Sequence, residues 1–288
     1  MGSSLSPAFA SLFGQDVAGR LLTRFLQSDR LPPAFLFAGP DGVGKRHAAR
    51  LFARALSCLD KTACGRCEAC RANEFGEGLR EIDVVALVGD ESIRNKAVAF
   101  RAEIFSHGVA HRLARFVVII DAADRLNDTM QAALLKAIEE PPPRTHYLLV
   151  SAAAGELTAT IRSRCVGVRF RPLVAAAIEK ILAHAAMAAP PNLEELVTMS
   201  GGSWSRCRRL MERGLDGEAL LRIFAEAAFS GRRHDLAGEF DWLVPAAVAL
   251  RPSWREPLLA FASAIAANAH IDLASTVLRH RLAALGAR

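Results

Sequence analysis

The chain has 288 residues, 51% hydrophobic and 23% charged, with 36 Lys+Arg against 30 Asp+Glu and a formal net charge of +6. These proportions belong to an ordinary folded protein and exclude disordered and fibrous classes. Apolar strings such as Phe116 to Ile120 fall far short of the ~20 residues that cross a bilayer, so no membrane partner is expected.

About two domains fit this length. No apolar core with a small-residue cleavage site precedes Arg20, the first basic residue, and the expected location is the cytoplasm. The positive charge forms no basic tail, which makes charge alone a weak argument for nucleic acid.

An amphipathic helix is predicted over Val17 to Leu26, ended by Pro32 and Pro33. Ala34 to Ala38 reads as a buried strand, followed by a glycine loop and a helix from Lys45 to Ser57. A strand near Ile82 to Leu87 and a helix from about Ile93 to Phe105 come next, then a β-branched strand at Phe116 to Ile120. Asp128 and Gln131 fit a capping box opening a helix that Pro141 to Pro143 stop. Strands at His146 to Val150 and near Val166 to Phe170 complete an alternating pattern that indicates a parallel sheet with helices on both faces. From Arg171 onward only helical periodicity is found, over Val174 to Met187, Leu193 to Met199 and Ser203 to Arg213, then to the C-terminus. Gly214 to Gly217 reads as a hinge.

Three motifs carry chemistry. Gly39-Pro40-Asp41-Gly42-Val43-Gly44-Lys45-Arg46 matches a phosphate loop, in which Gly39, Gly42 and Gly44 let backbone N–H groups wrap a phosphate and Lys45 reaches the outer phosphates. Arg46 stands where the pattern has Ser or Thr; it lacks the oxygen that coordinates Mg²⁺ and would repel the ion, although it could still touch a phosphate. ATP or ADP therefore remains a possible cofactor, with hydrolysis doubtful. Phe116 to Asp121 is an apolar strand ending in an acid that could hold Mg²⁺, but Ala122 follows where an ATPase places Glu, and Asp124 is expected to face elsewhere. Cys58, Cys64, Cys67 and Cys70 supply four thiolates for a closed, structural Zn²⁺; the alternative is that Cys58 is a core thiol and only three cluster. Cys165 and Cys207 read as buried small hydrophobes.

Taken together, these residues resemble the AAA+ clamp-loader family of bacterial DNA polymerase III. The matching pieces are Phe13-Gly14-Gln15, Leu36-Phe37-Ala38-Gly39-Pro40 into Gly42-Val43-Gly44-Lys45, the four-cysteine insertion, Ala133 to Pro142 and Ser163-Arg164-Cys165. The resemblance covers about residues 9–170. It implies a RecA-like AAA+ domain over 1–170 with a zinc module at 58–70, an all-α lid over 171–213 and an all-α collar over 214–288. It further implies tau/gamma and delta subunits as partners, with the sliding clamp and primer-template DNA reached through the complex.

Hydrolysing members keep a Thr, a Glu and a polar sensor where this chain has Arg46, Ala122 and Ser151-Ala152. Ser163-Arg164-Cys165 is retained, and in the family it donates an arginine finger, here Arg164, to a neighbour's ATP site. The resemblance thus implies a subunit that kept the fold and lost its own hydrolysis. Two other readings stay open: an active AAA+ ATPase resembling tau/gamma, and a zinc-dependent DNA-binding protein with a vestigial phosphate loop.

Overall fold

The computed structural model describes residues 5–28, 30–74, 79–84, 100–101, 104, 115–214, 247–248, 252–266, 277–278 and 281. The chain divides into two compact units, Met1–Arg171 and Pro172–Arg288.

The first unit holds a parallel sheet of β1 (Ala34–Ala38), β2 (Leu79–Asp83), β3 (Phe116–Asp121), β4 (Thr145–Ser151) and β5 (Val166–Arg169), in the order β2-β3-β4-β1-β5. Its central strands are near-continuous apolar runs because both faces are covered. Alternation splits β1 cleanly: Phe35 and Phe37 enter one core, Ala34 and Leu36 the other. The first core is closed by α1 (Asp16–Gln27) and α2 (Lys45–Ser57), where Phe52 meets Phe35 edge-on with centroids 5.1 Å apart. The second is closed by α4 (Asp128–Glu139), through Met130, Leu134 and Ile138. Two short helices complete the unit: α3 (Glu68–Glu74) and α5 (Ala159–Arg164).

Two local expectations are corrected. The strand placed near Ile82 to Leu87 is β2, which starts at Leu79 and pairs Leu79 with Val117 through Asp83 with Asp121. Its exposed or half-exposed Arg80, Glu81 and Asp83 hid this edge strand from a search for an apolar run. The cap of α4 is Asn127, whose side chain accepts from Met130 N at 2.9 Å; Asp128 is already helical. Gln131 serves a tertiary role, donating to the carbonyls of Leu126 and Glu156 and accepting from Thr158 N at 2.8 Å. Of the helix expected over Ile93 to Phe105, most lies outside the described residues, as does the hinge beyond Gly214.

Every described element of the second unit is helical: α6 (Ala175–His184), α7 (Leu193–Ser200), α8 (Trp204–Glu212), a short 3₁₀ turn at Pro252–Trp254, and α9 (Arg255–Ala266). Ile178, Leu182, Leu196, Met199, Cys207 and Leu210 form its core together with Trp254 and Leu258. Cys207 is thus the buried small hydrophobe expected, while Cys165 is partly buried beside the second core of the first unit. Most of residues 214–288 lie outside the described residues.

Candidate functional site

The glycine loop joins β1 to α2, with the bounds of both elements as read from the sequence. Gly39 is forced by a close approach: a Cβ there would lie 2.4 Å from the Phe170 carbonyl oxygen. That approach is fixed by neighbouring strands, since Phe170 N donates to Ala38 O at 2.8 Å and Gly39 N to Ser151 O at 3.3 Å. Gly44, at φ 95°, caps α2 in the left-handed region that favours glycine. Lys45 begins the helix and is 5% exposed. Its ammonium donates to the carbonyls of Gly39 and Pro40 at 2.7 and 2.6 Å and lies 3.6 Å from Asp41. Burial lowers its pKa against the opposing pull of Asp41, Asp124 and Asp121.

Arg46 turns to the carboxyl ends of β2 and β3. Its Nη1 is 3.0 Å from Asp121 and 3.9 Å from Asp83, and its Nε pairs with Glu81. Arg50, one turn along α2, also pairs with Glu81, at 2.8 Å. Burial alone would lower the Arg46 pKa, but Glu81, Asp121 and Asp83 outweigh it and raise it. Burial raises the pKa of Asp121, and Arg46 opposes the shift. Glu81 and Asp83 were missed from the sequence. Their signal is the alternation in Leu79-Arg80-Glu81-Ile82-Asp83, which sets two acids beside the end of β3 once the register is known.

Ala122, in the position of an ATPase's Glu, is left-handed at φ 53°, so the chain turns sharply straight after Asp121. The turn brings Asp124 back: its carboxylate accepts from Ala152 N at 2.9 Å, and its charge acts on Lys45. A 3₁₀ turn over Ala123–Arg125 folds Asp124 against the end of β4. Ser151, at that end, is fully buried, and among the described residues its hydroxyl has no hydrogen-bond partner.

The four cysteines converge. Cys58 caps the end of α2, Cys64 and Cys67 lie in the following loop, and Cys70 is on α3. Sulfur separations are 3.6 Å for Cys58–Cys64, 4.0 Å for Cys64–Cys70 and 4.0 Å for Cys58–Cys67, and all four lie within 4.8 Å of one another. A tetrahedral ion with metal–sulfur bonds near 2.3 Å sets its sulfurs about 3.8 Å apart, so the group fits a metal. Burial opposes ionisation of Cys58, but the N–H groups of Cys64, Thr62 and Asp60 prevail and hold its pKa at about 6. Burial pushes Cys70 up to about 12.

Arg164 is the last residue of α5, with its side chain 42% exposed. Its recorded partners are the carbonyl of Thr160 and the carboxylate of Glu139, and neither belongs to the phosphate loop. The structure thus gathers Lys45, Arg46 and Asp121 at one strand end and the cysteines at another place, with Arg164 apart from the loop residues in its contacts.

A profile of the family described as DNA polymerase III, delta subunit matches residues 14–174, more than half of the chain. The chain belongs to that family. Among its relatives, the tau/gamma subunit of DNA polymerase III from Haemophilus influenzae is 36% identical over 180 residues, covering 61% of this chain and 25% of that protein. The delta' subunit from Pseudomonas aeruginosa is 35% identical over 185 residues, covering 63% of this chain and 56% of that protein. The chain therefore spans between a quarter and just over half of the length of these relatives. A RuvB structure from Thermotoga maritima aligns over 98% of this chain and 92% of its own, with a TM-score of 0.54 and 16% identity, a likeness of fold. The sheet order and this likeness establish the α/β fold, a parallel sheet with helices on both faces, as expected from the sequence. Among the described residues, no helix is long and apolar enough to cross a membrane.

Proposed function

We propose that the chain is a delta-prime-like subunit of the DNA polymerase III clamp loader, one that does not hydrolyse ATP and lends Arg164 to the ATP site of a neighbouring tau/gamma subunit. The observation that carries this reading is the end of β3, where Arg46 lies 3.0 Å from Asp121 and Ala122 replaces the residue that would polarise water. A site so built has no hydroxyl at position 46 to bind Mg²⁺ and no Glu at position 122 to polarise water, whereas Arg164 keeps a half-exposed side chain at a helix end.

In this reading residues 1–170 form the AAA+ domain, 171–213 a lid and 214–288 a collar that joins tau/gamma and delta. The sliding clamp and primer-template DNA are met through the assembled, cytoplasmic complex. Cys58, Cys64, Cys67 and Cys70 hold a structural Zn²⁺ that stiffens the segment after α2. Gly39, Gly42, Gly44 and Lys45 remain as the frame of a nucleotide loop.

The test is reconstitution with tau/gamma and delta. The isolated chain should show no ATP turnover. Arg164→Ala should leave assembly intact and remove hydrolysis at one interface, since such a finger contributes about 10³–10⁵ in rate at its own site. Normal clamp- and DNA-stimulated hydrolysis by that mutant complex would overturn the finger assignment. The identity to tau/gamma is as high as that to delta', so the competing reading of an active ATPase stands beside this one. Turnover by the purified chain that disappears in Lys45→Ala would establish it.

A further inference from the structure

Arg46 does more than lack a metal-binding oxygen. Its guanidinium reaches from the first turn of α2 to acids on two strands, touching Asp121 at 3.0 Å, Asp83 at 3.9 Å and Glu81 through Nε. Arg50 takes the other oxygen of Glu81 at 2.8 Å. Two fixed positive charges therefore meet three carboxylates at the ends of β2 and β3. A guanidinium stays protonated at any working pH, has five donors in a planar fork and offers no lone pair. Lys45, the residue before it, is held by the Gly39 and Pro40 carbonyls of its own loop.

We infer that Arg46 is a built-in substitute for the divalent cation at this loop and the residue that sets its ligand specificity, balancing Glu81, Asp83 and Asp121 so that the site stands complete without Mg²⁺. A hydrated Mg²⁺ needs oxygen ligands in an octahedron and strong negative charge nearby. Arg46 takes up the Asp121 carboxylate and adds a positive charge at the same place, so the divalent ion is refused on both counts. The consequence is a strand edge whose charge balance does not change with the nucleotide and cation content of the solution. This inference rests on the same Arg46–Asp121 contact that carries the non-hydrolysing reading, and it is read on the isolated chain, apart from the Arg164 assignment.

The experiment is thermal unfolding of the full-length chain in divalent-depleted buffer without chelator, which leaves a thiolate-bound metal in place, with ADP, Mg²⁺ or both added. For the unmodified chain, Mg²⁺ should shift Tm neither alone nor in addition to ADP. A shift with ADP alone that Mg²⁺ does not enlarge also fits, because a surrogate cation makes the metal dispensable. Arg46→Thr uncovers the three acids; its Tm should fall by about 2–4 °C or more without divalent ions and recover on adding Mg²⁺.

A Mg²⁺-dependent gain in the unmodified chain overturns the inference. So does an Arg46→Thr chain as stable as the original in depleted buffer, or one whose loss no divalent ion restores, since Arg46 is then an ordinary ion-pair partner. Should Arg46→Thr fail to fold, Arg46→Lys keeps the charge and loses the fork, and is expected to show a smaller loss that Mg²⁺ partly restores. Mn²⁺ titration of the unmodified chain read by electron paramagnetic resonance gives a second reading: Mn²⁺ held there and released on Asp121→Asn would overturn the inference. The Arg164→Ala assay is read on the assembled loader and is unaffected by these outcomes, so the finger assignment and this inference fail separately.

Discussion

The guanidinium of Arg164 lies 2.7 Å from the carboxylate of Glu139 and 3.1 Å from the Thr160 carbonyl it donates to, so the last residue of α5 is clasped to the last residue of α4. At the other end of α5 the buried Gln131 of α4 accepts from Thr158 N at 2.8 Å. The short helix is thus fastened at both ends to a longer neighbour packed on the sheet.

The two fastenings differ in strength. The side chains of Arg164 and Glu139 are 42% and 43% exposed, so Glu139→Gln should cost less than about 1 kcal/mol in urea unfolding. Gln131→Ala leaves a backbone donor and two carbonyls without their partner and should cost about 1–3 kcal/mol in the same measurement.

The cysteine cluster predicts about one Zn²⁺ per chain by elemental analysis, as four converging thiolates require. Cys67→Ser should lower metal retention, and stripping the metal should reduce the unfolding free energy by several kcal/mol, because binding at such a site is coupled to folding. A metal-free chain with an unchanged unfolding curve would remove the structural role.

Gly39→Ala tests the closeness of loop and sheet. The added methyl would meet the Phe170 carbonyl oxygen at 2.4 Å, and since that is backbone fixed by the bond from Phe170 N to Ala38 O, relief is costly. A loss of about 1–3 kcal/mol is expected in chemical denaturation, the range seen for overpacked sites.

His146 supplies a pH dependence. Burial lowers its pKa below the ordinary 6.5, although its bond to the Pro32 carbonyl pulls upward. The unfolded chain then binds the proton more readily than the folded one, so this contribution is complete above pH 6.5 and is lost as pH falls through the lowered value. Unfolding free energy followed downward from neutral pH should decline, and His146→Asn, which keeps a donor for Pro32, should flatten that part of the slope.

What the sequence made legible was what lies close along the chain. The bounds of β1 and α2 follow from an apolar run, a glycine loop and a helical period, and the metal ligands lie within Cys58 to Cys70. Partners across the sheet were not legible. Glu81 reaches Arg46 from 35 residues away, and only the β2–β3 register sets it there. The bond from Ala152 N to Asp124 was not legible either, since an unanticipated left-handed Ala122 turns the chain before it. With the cap of α4, Asn127 and Asp128 both suit the position, and the spacing to Gln131 selected the wrong one because Gln131 is occupied with Thr158.

One amide sets the order in which this molecule can be finished. Gln15, 4% exposed, donates to Val43 O at 3.2 Å and to Arg171 O at 2.7 Å, and accepts from Arg171 N at 3.1 Å. Its partners are 28 and 156 residues away along the chain. Contacts of such separation form only after the intervening chain is ordered, because the loop they close is entropically expensive until then. A glycine loop synthesised within the first fifty residues therefore stays open on one side until residue 171 has left the ribosome and the fifth strand is in place.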